Sequence, residues 1–63
     1  MGSAGQRERY AIFRNDGMAP MWVCPASNMA EAMEKMRQLT IDKGAEHFIW
    51  DFEQGTTVAS EKP

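Results

Sequence analysis

The sequence predicts an α+β fold: a two-layer sandwich in ββαββ order, with one amphipathic helix packed on a four-stranded, mainly antiparallel sheet. Three observations lead there. Only one stretch, residues 28–43, repeats its apolar side chains at helical spacing. Four short runs rich in β-branched and aromatic residues flank it in two pairs. Each pair is divided by turn chemistry, Asn15-Asp16-Gly17 in the first and Gly55 in the second.

Residues 9–14, RYAIFR, read as the first strand. The loop NDGMAP follows, and residues 21–24, MWVC, form a short second strand that Pro25 is expected to stop, because proline cannot donate to a ladder. The helix comes next. Met29, Ala32, Met33, Met36, Leu39 and Thr40 fall on one side of it, while Glu31, Glu34, Lys35, Gln38 and Asp42 make the solvated side. Asn28 caps its start with Glu31 three residues on, a capping-box arrangement, with Ser27 as the other candidate cap. Lys43 complements the negative helix end, and Gly44 takes the left-handed stop. Residues 47–52, HFIWDF, and 56–60, TTVAS, are the third and fourth strands, with Gly55 supplying the turn's positive φ.

Sheet order 2-1-3-4 is favoured, since it pairs both hairpins and lets the helix carry the chain across strand 1. Order 1-2-3-4, with strands 2 and 3 parallel, is the alternative, and right-handed crossover does not choose between them. Residues 8–60 are expected to form the single domain. The segment 1–7 is expected to be a disordered start or tag remnant, and 61–63 a polar tail.

Strand side chains alternate between faces. Phe48, Trp50 and Phe52 oppose His47, Ile49 and Asp51, and Tyr10 with Ile12 opposes Ala11 with Phe13. In strand 2, alternation sets Trp22 and Cys24 against Met21 and Val23. In strand 4 it sets Thr57 and Ala59 against Thr56, Val58 and Ser60. Three strands thus carry bulky apolar residues on both faces, yet one helix covers only one. Whatever it leaves open is a candidate interaction surface, with Trp22, Phe48, Trp50 and Phe52 as the residues that would carry it.

Composition narrows the function classes. A chain of 63 residues buries only about 60% of the surface its unfolded form exposes, so such domains lean on disulfides, metals or self-association. One cysteine excludes an internal disulfide and argues for a reducing, cytoplasmic setting. One histidine and one cysteine supply no zinc-ligand set. Self-association remains, by elimination. The net charge of −2 exerts no pull on phosphate backbones. No apolar run approaches the roughly 20 residues of a membrane span. The opening MGSAGQ has neither the basic start nor the apolar core of a signal peptide, and Gln6 stands where myristoylation wants Ser or Thr.

Few residues invite chemistry. His47 and Asp51 share a face but lie four residues apart on a strand, roughly 13 Å, too far for a dyad. His47 reads as an edge or surface histidine, and Asp51 as a turn-ordering acid. Asp51, Glu53 and Glu46 lack the ligand number a calcium or magnesium site wants. Cys24 is a candidate nucleophile only with a partner such as His47 near it, and otherwise reads as a small buried hydrophobe. The methionine stripe Met29, Met33, Met36 reads as core. Phe48, Trp50 and Phe52, with Arg7, Arg9 and Arg14 nearby, invite comparison with base-stacking sheets. However, the RNA-recognition motif needs a second helix and a Lys/Arg-Gly-aromatic signature that this chain lacks.

The pattern Glu31-Ala32, Gly44, Phe48-Ile49-Trp50-Asp51, Gly55 and Val58-Ala59 resembles short bacterial ββαββ proteins classed as domains of unknown function. The likeness spans residues 10–60. It implies a bacterial or phage source and the fold drawn above, and it brings no catalytic residues. The expected function is a small non-enzymatic binding or regulatory module acting through protein contacts, with itself as homodimer or with another protein. No cofactor and no small-molecule ligand are inferred. Single-stranded RNA binding is the alternative, and a small enzyme or enzyme subunit using Cys24 the third reading.

Overall fold

The four strands and one helix occur in the expected order: β1 Tyr10–Asn15, β2 Met21–Ala26, α1 Met29–Lys43, β3 Glu46–Asp51 and β4 Thr56–Glu61. The structure, a computed structural model, describes residues 8–63. The segment 1–7, including Arg7, lies outside the described residues. The sheet order is β2-β1-β3-β4, with all three neighbouring pairs antiparallel. Two hairpins therefore stand side by side, and α1 carries the chain from the outer strand of the first across to the inner strand of the second.

Local chemistry explains where α1 begins and ends. Asn28 is extended (φ −147°), and its side chain accepts the Glu31 N–H at 2.8 Å, which relieves one of the helix's orphan donors. Glu31 reaches back as expected, but it accepts the N–H of Ser27 (2.8 Å), one residue before the cap. Gly44 sits at φ +63° and donates its N–H to the Thr40 carbonyl at 3.0 Å. That conformation would cost an ordinary residue about 1–2 kcal/mol.

The inner face of α1 buries Ala32, Met36 and Thr40. Ala32 and Met36 form the apolar core with Ile12, Ile49 and Ala26, and Tyr10, Cys24, Met29, Met33, Leu39 and Ala59 pack around it. Ile12 and Ile49 are directly opposite each other on the central strands, both at 0% exposure. Full burial of each is worth about 1.5–3 kcal/mol. Thr40 is buried without penalty because its hydroxyl donates to the Met36 carbonyl at 2.8 Å.

Three features depart from simple alternation. Pro25 does not stop β2, which runs on to Ala26. β2 is an edge strand, where a missing donor is tolerated, and Lys35 Nζ donates to the Pro25 carbonyl at 2.8 Å. The other two are bulges. Opposite β1, the register steps from Ile12–Cys24 to Phe13–Trp22, leaving Val23 as the extra residue. Opposite β3, it steps from Ile49–Ala59 to Trp50–Thr57, leaving Val58 as the extra residue. Each bulge lets its strand switch faces. Cys24 and Ala59 therefore join the core, while Trp22 and Thr57 lie across from Phe13 and Trp50, on the opposite face. This corrects the expected grouping of Trp22 with Cys24 and of Thr57 with Ala59.

Replacing the helix cap tests the local account. Asn28→Ala should lower stability by about 1 kcal/mol, seen as a lower urea midpoint at unchanged m-value. Gly44→Ala should cost about as much.

Candidate functional site: the open aromatic face

With Ile12 and Ile49 turned toward α1, the alternate residues of the central strands turn away from it. Cross-strand register then assembles two rows. Trp22, Phe13, Phe48 and Ser60 make the first, and Pro25, Ala11, Trp50 and Thr57 the second. The Phe13 and Phe48 rings stack with centroids 5.4 Å apart and planes 9° from parallel. That is a favourable offset-type spacing for aromatic pairs. None of the eight side chains is ionisable. Trp22 is 56% exposed, Phe13, Phe48 and Trp50 are half-buried, and Ala11 is buried beneath its larger neighbours.

Of the four residues singled out from sequence, Trp22, Phe48 and Trp50 therefore share this face. Phe52 lies just past the end of β3, where its N–H donates to the Arg9 carbonyl at 2.9 Å. Phe52 is 40% exposed and lines a pocket with Trp22, Pro25 and Ala11. Phe13 belongs at the centre of the row and was absent from the candidate set. Its alternation with Ile12 carried the signal, but only once the inward face was known.

One end of the opposite, α1-side face is fixed by charge. The Asp51 carboxylate is 2% exposed and takes a two-pronged contact from Arg9, Nε to Oδ1 at 3.2 Å and Nη2 to Oδ2 at 3.1 Å. Oδ1 also accepts the backbone N–H groups of Glu53 (2.8 Å) and Gln54 (3.3 Å). Asp51 thus orders the turn as expected, and it also ties the start of β1 to the β3–β4 hairpin. Gly55, at φ +67°, closes that turn by donating to the Asp51 carbonyl at 2.7 Å. The Arg9 hydrogen bonds hold the Asp51 carboxyl below its usual range, helped by the Gln54 and Glu53 N–H groups and opposed by burial. The Arg9 pKa is raised in turn, chiefly by Asp51. Arg9 reaches Glu53 as well (Nη1–Oε1 3.1 Å) and lies over the Tyr10 ring at 5.2 Å.

The other candidate residues lie beneath α1. His47 is not a surface histidine. It is completely buried on a central strand, its Nδ1 2.8 Å from the Ala45 carbonyl and 3.5 Å from the Thr40 hydroxyl. The carbonyl can only accept, so Nδ1 carries the proton. Nε2 has no hydrogen-bond partner among the described residues. Cys24 lies on β2, two strands from β3, so its strand axis is about 10 Å from that of His47. It opens onto a groove against α1 lined by Glu31, Glu34 and Lys35, among others. Two carboxylates against one lysine are not the positive surroundings that activate a cysteine. No group of three or more His, Cys, Asp or Glu side chains suited to a metal ion occurs among the described residues. Glu46 is engaged by Asn15 at 3.5 Å.

Comparison with protein-family models, with curated proteins and with solved structures finds no match to this chain. Among the described residues no helix is long and apolar enough to cross a membrane.

Acid should expose the Asp51 linkage. The folded state holds this carboxyl low, so its contribution to stability is complete above the unfolded carboxyl range, about pH 4. It is lost as pH falls through the lower folded value. Glu31, lowered first by the Ser27 N–H and then by Lys35, acts in the same direction. Urea midpoints measured from pH 7 to pH 3 should fall on the acid side, and Asp51→Asn should be less stable at pH 7 with a shallower acid slope.

Proposed function

We propose that this protein is a small binding module that works through protein contacts on the open aromatic face, with a second copy of the chain as its occupant. The observation that carries the reading is the uncharged double row centred on Phe13, Phe48 and Trp50, left uncovered by the only helix among the described residues. An isologous pairing brings like surfaces together. On a face whose central side chains are not ionisable, no charge would meet its own copy there. The small size of the domain adds a thermodynamic motive, since burying this face supplements a modest core.

Area sets the strength. Six-residue strands about 20 Å long, four abreast at about 4.8 Å, span roughly 400 Å². Standard interfaces bury about 800 Å² per partner, so this contact belongs with weak, transient ones. Micromolar association is the expectation.

Base stacking is the lesser reading. Sheet aromatics favour it, but Arg9 is engaged by Asp51 and Glu53, and Arg14 is turned to Asp16 at 3.8 Å. Neither is left as a plain phosphate contact, and the chain carries net negative charge. A non-enzymatic role fits the separation of Cys24 from His47. A reducing, cytoplasmic setting fits the lone cysteine and belongs to the same proposal.

Sedimentation velocity from about ten to several hundred micromolar should register a monomer–dimer equilibrium. Trp50→Thr should weaken it about tenfold or more, as loss of a central tryptophan does at interfaces. A monomer at the highest concentration overturns the proposal. Single-stranded RNA at low salt should leave tryptophan fluorescence unchanged, and quenching would shift the reading to base stacking.

A further inference from the structure

Beside Trp22 the open face ends in a pocket of about 230 Å³ lined by Glu8, Tyr10, Ala11, Trp22, Pro25 and Phe52. A separate hollow of about 260 Å³ is lined by Glu8, Arg9, Phe52 and Glu53. We infer that the Trp22 pocket receives the guanidinium of an arginine side chain presented by a partner protein. The inference rests on reading this face as a protein-contact surface, and it names the chemistry recognised at the rim.

Size and lining decide the class of ligand. Pockets for whole small molecules start near about 300 Å³, so a hollow of 230 Å³ suits a single side chain. Its lining joins the Trp22 and Phe52 side chains to one carboxylate, Glu8. A guanidinium is attracted to the face of such rings, tryptophan best, and stacks flat on them. Glu8 supplies the anionic partner. Its Oε2 accepts the Ser27 hydroxyl at 2.8 Å, which steadies the side chain.

Glu8 and Glu53 line the two hollows, and the one cation lining them among the described residues, Arg9, is already held by Asp51 and Glu53. The molecule also makes the proposed contact once internally, where Arg9 lies over the Tyr10 ring at 5.2 Å. A neutral or acidic side chain would leave the excess carboxylate unanswered. An arginine answers it while covering Trp22, the most exposed of the aromatic residues.

The test uses the full-length Trp50→Thr chain, in which Trp22 is the one remaining tryptophan and the central face is weakened for dimerisation. Nitrogen-15-labelled protein is titrated with acetyl-Gly-Arg-Gly-amide and, separately, with the citrulline peptide, a neutral isostere. The arginine peptide should shift the Trp22 indole N–H and the Glu8 and Phe52 amides, and the citrulline peptide should not. Glu8→Gln, a surface change that leaves the spectrum of the fold intact, should weaken the arginine response about two- to fivefold, in keeping with one exposed charge pair. Equal shifts from both peptides, shifts elsewhere on the surface, or none at all overturn the inference. The dimer reading stands or falls by sedimentation of the unmodified chain, so the two failures are told apart.

Discussion

Ile12 and Ile49 face each other across the two central strands, and the orientation of the rest of the sheet follows from that pair. Once both turn toward α1, Phe13, Phe48 and Trp50 must turn away. A one-residue slip of either strand would put an isoleucine into water and an aromatic ring against the helix, so the register is strongly held. The same pair sits beside both bulges, at Val23 and Val58. The two hairpins thus repeat one device about a shared centre, each inner strand contributing an isoleucine and each outer strand an extra valine.

Much of this was legible in the sequence, and for identifiable reasons. The helix announced itself through Asn28, Glu31, Lys43 and Gly44, whose roles depend on neighbours within four residues. Strand order 2-1-3-4 was favoured over 1-2-3-4 because it lets the helix carry the chain across strand 1, and the sheet has it. What stayed hidden depended on partners distant in the chain. Val23 and Val58 look like ordinary strand residues, and only the register against β1 and β3 reveals them as inserted. Strict alternation therefore grouped Trp22 with Cys24 when the bulge separates them. Pro25 reads as a stop signal unless the strand is known to lie at an edge. His47 reads as a surface residue because no local feature reports Thr40 above it or the turn of the Ala45 carbonyl toward its ring.

The candidate surface was legible in outline only. That aromatic residues must remain uncovered followed from counting one helix against a sheet with two apolar faces. Which ones, and that Phe13 belongs among them, required the inward direction of Ile49. The polar corner was less visible still. Arg9 and Asp51 stand 42 positions apart in the chain, and their pairing exists only because β1 and β3 are neighbours. That contact lies on the α1 side of the sheet, behind the uncharged rows of the open face.

The bulges also bear on how such molecules can accumulate. An edge strand with regular, unpaired backbone groups invites a neighbour to extend the sheet, and the extended sheet offers a fresh edge to the next arrival. Both outer strands here carry an inserted valine that breaks the ladder's rhythm and increases local twist, and β2 adds a proline without a donor. Growth sideways is therefore discouraged at either border. A pair made through the flat of the sheet, as proposed, would consume the surface that makes it and so would be closed, with no fresh edge for a fibre.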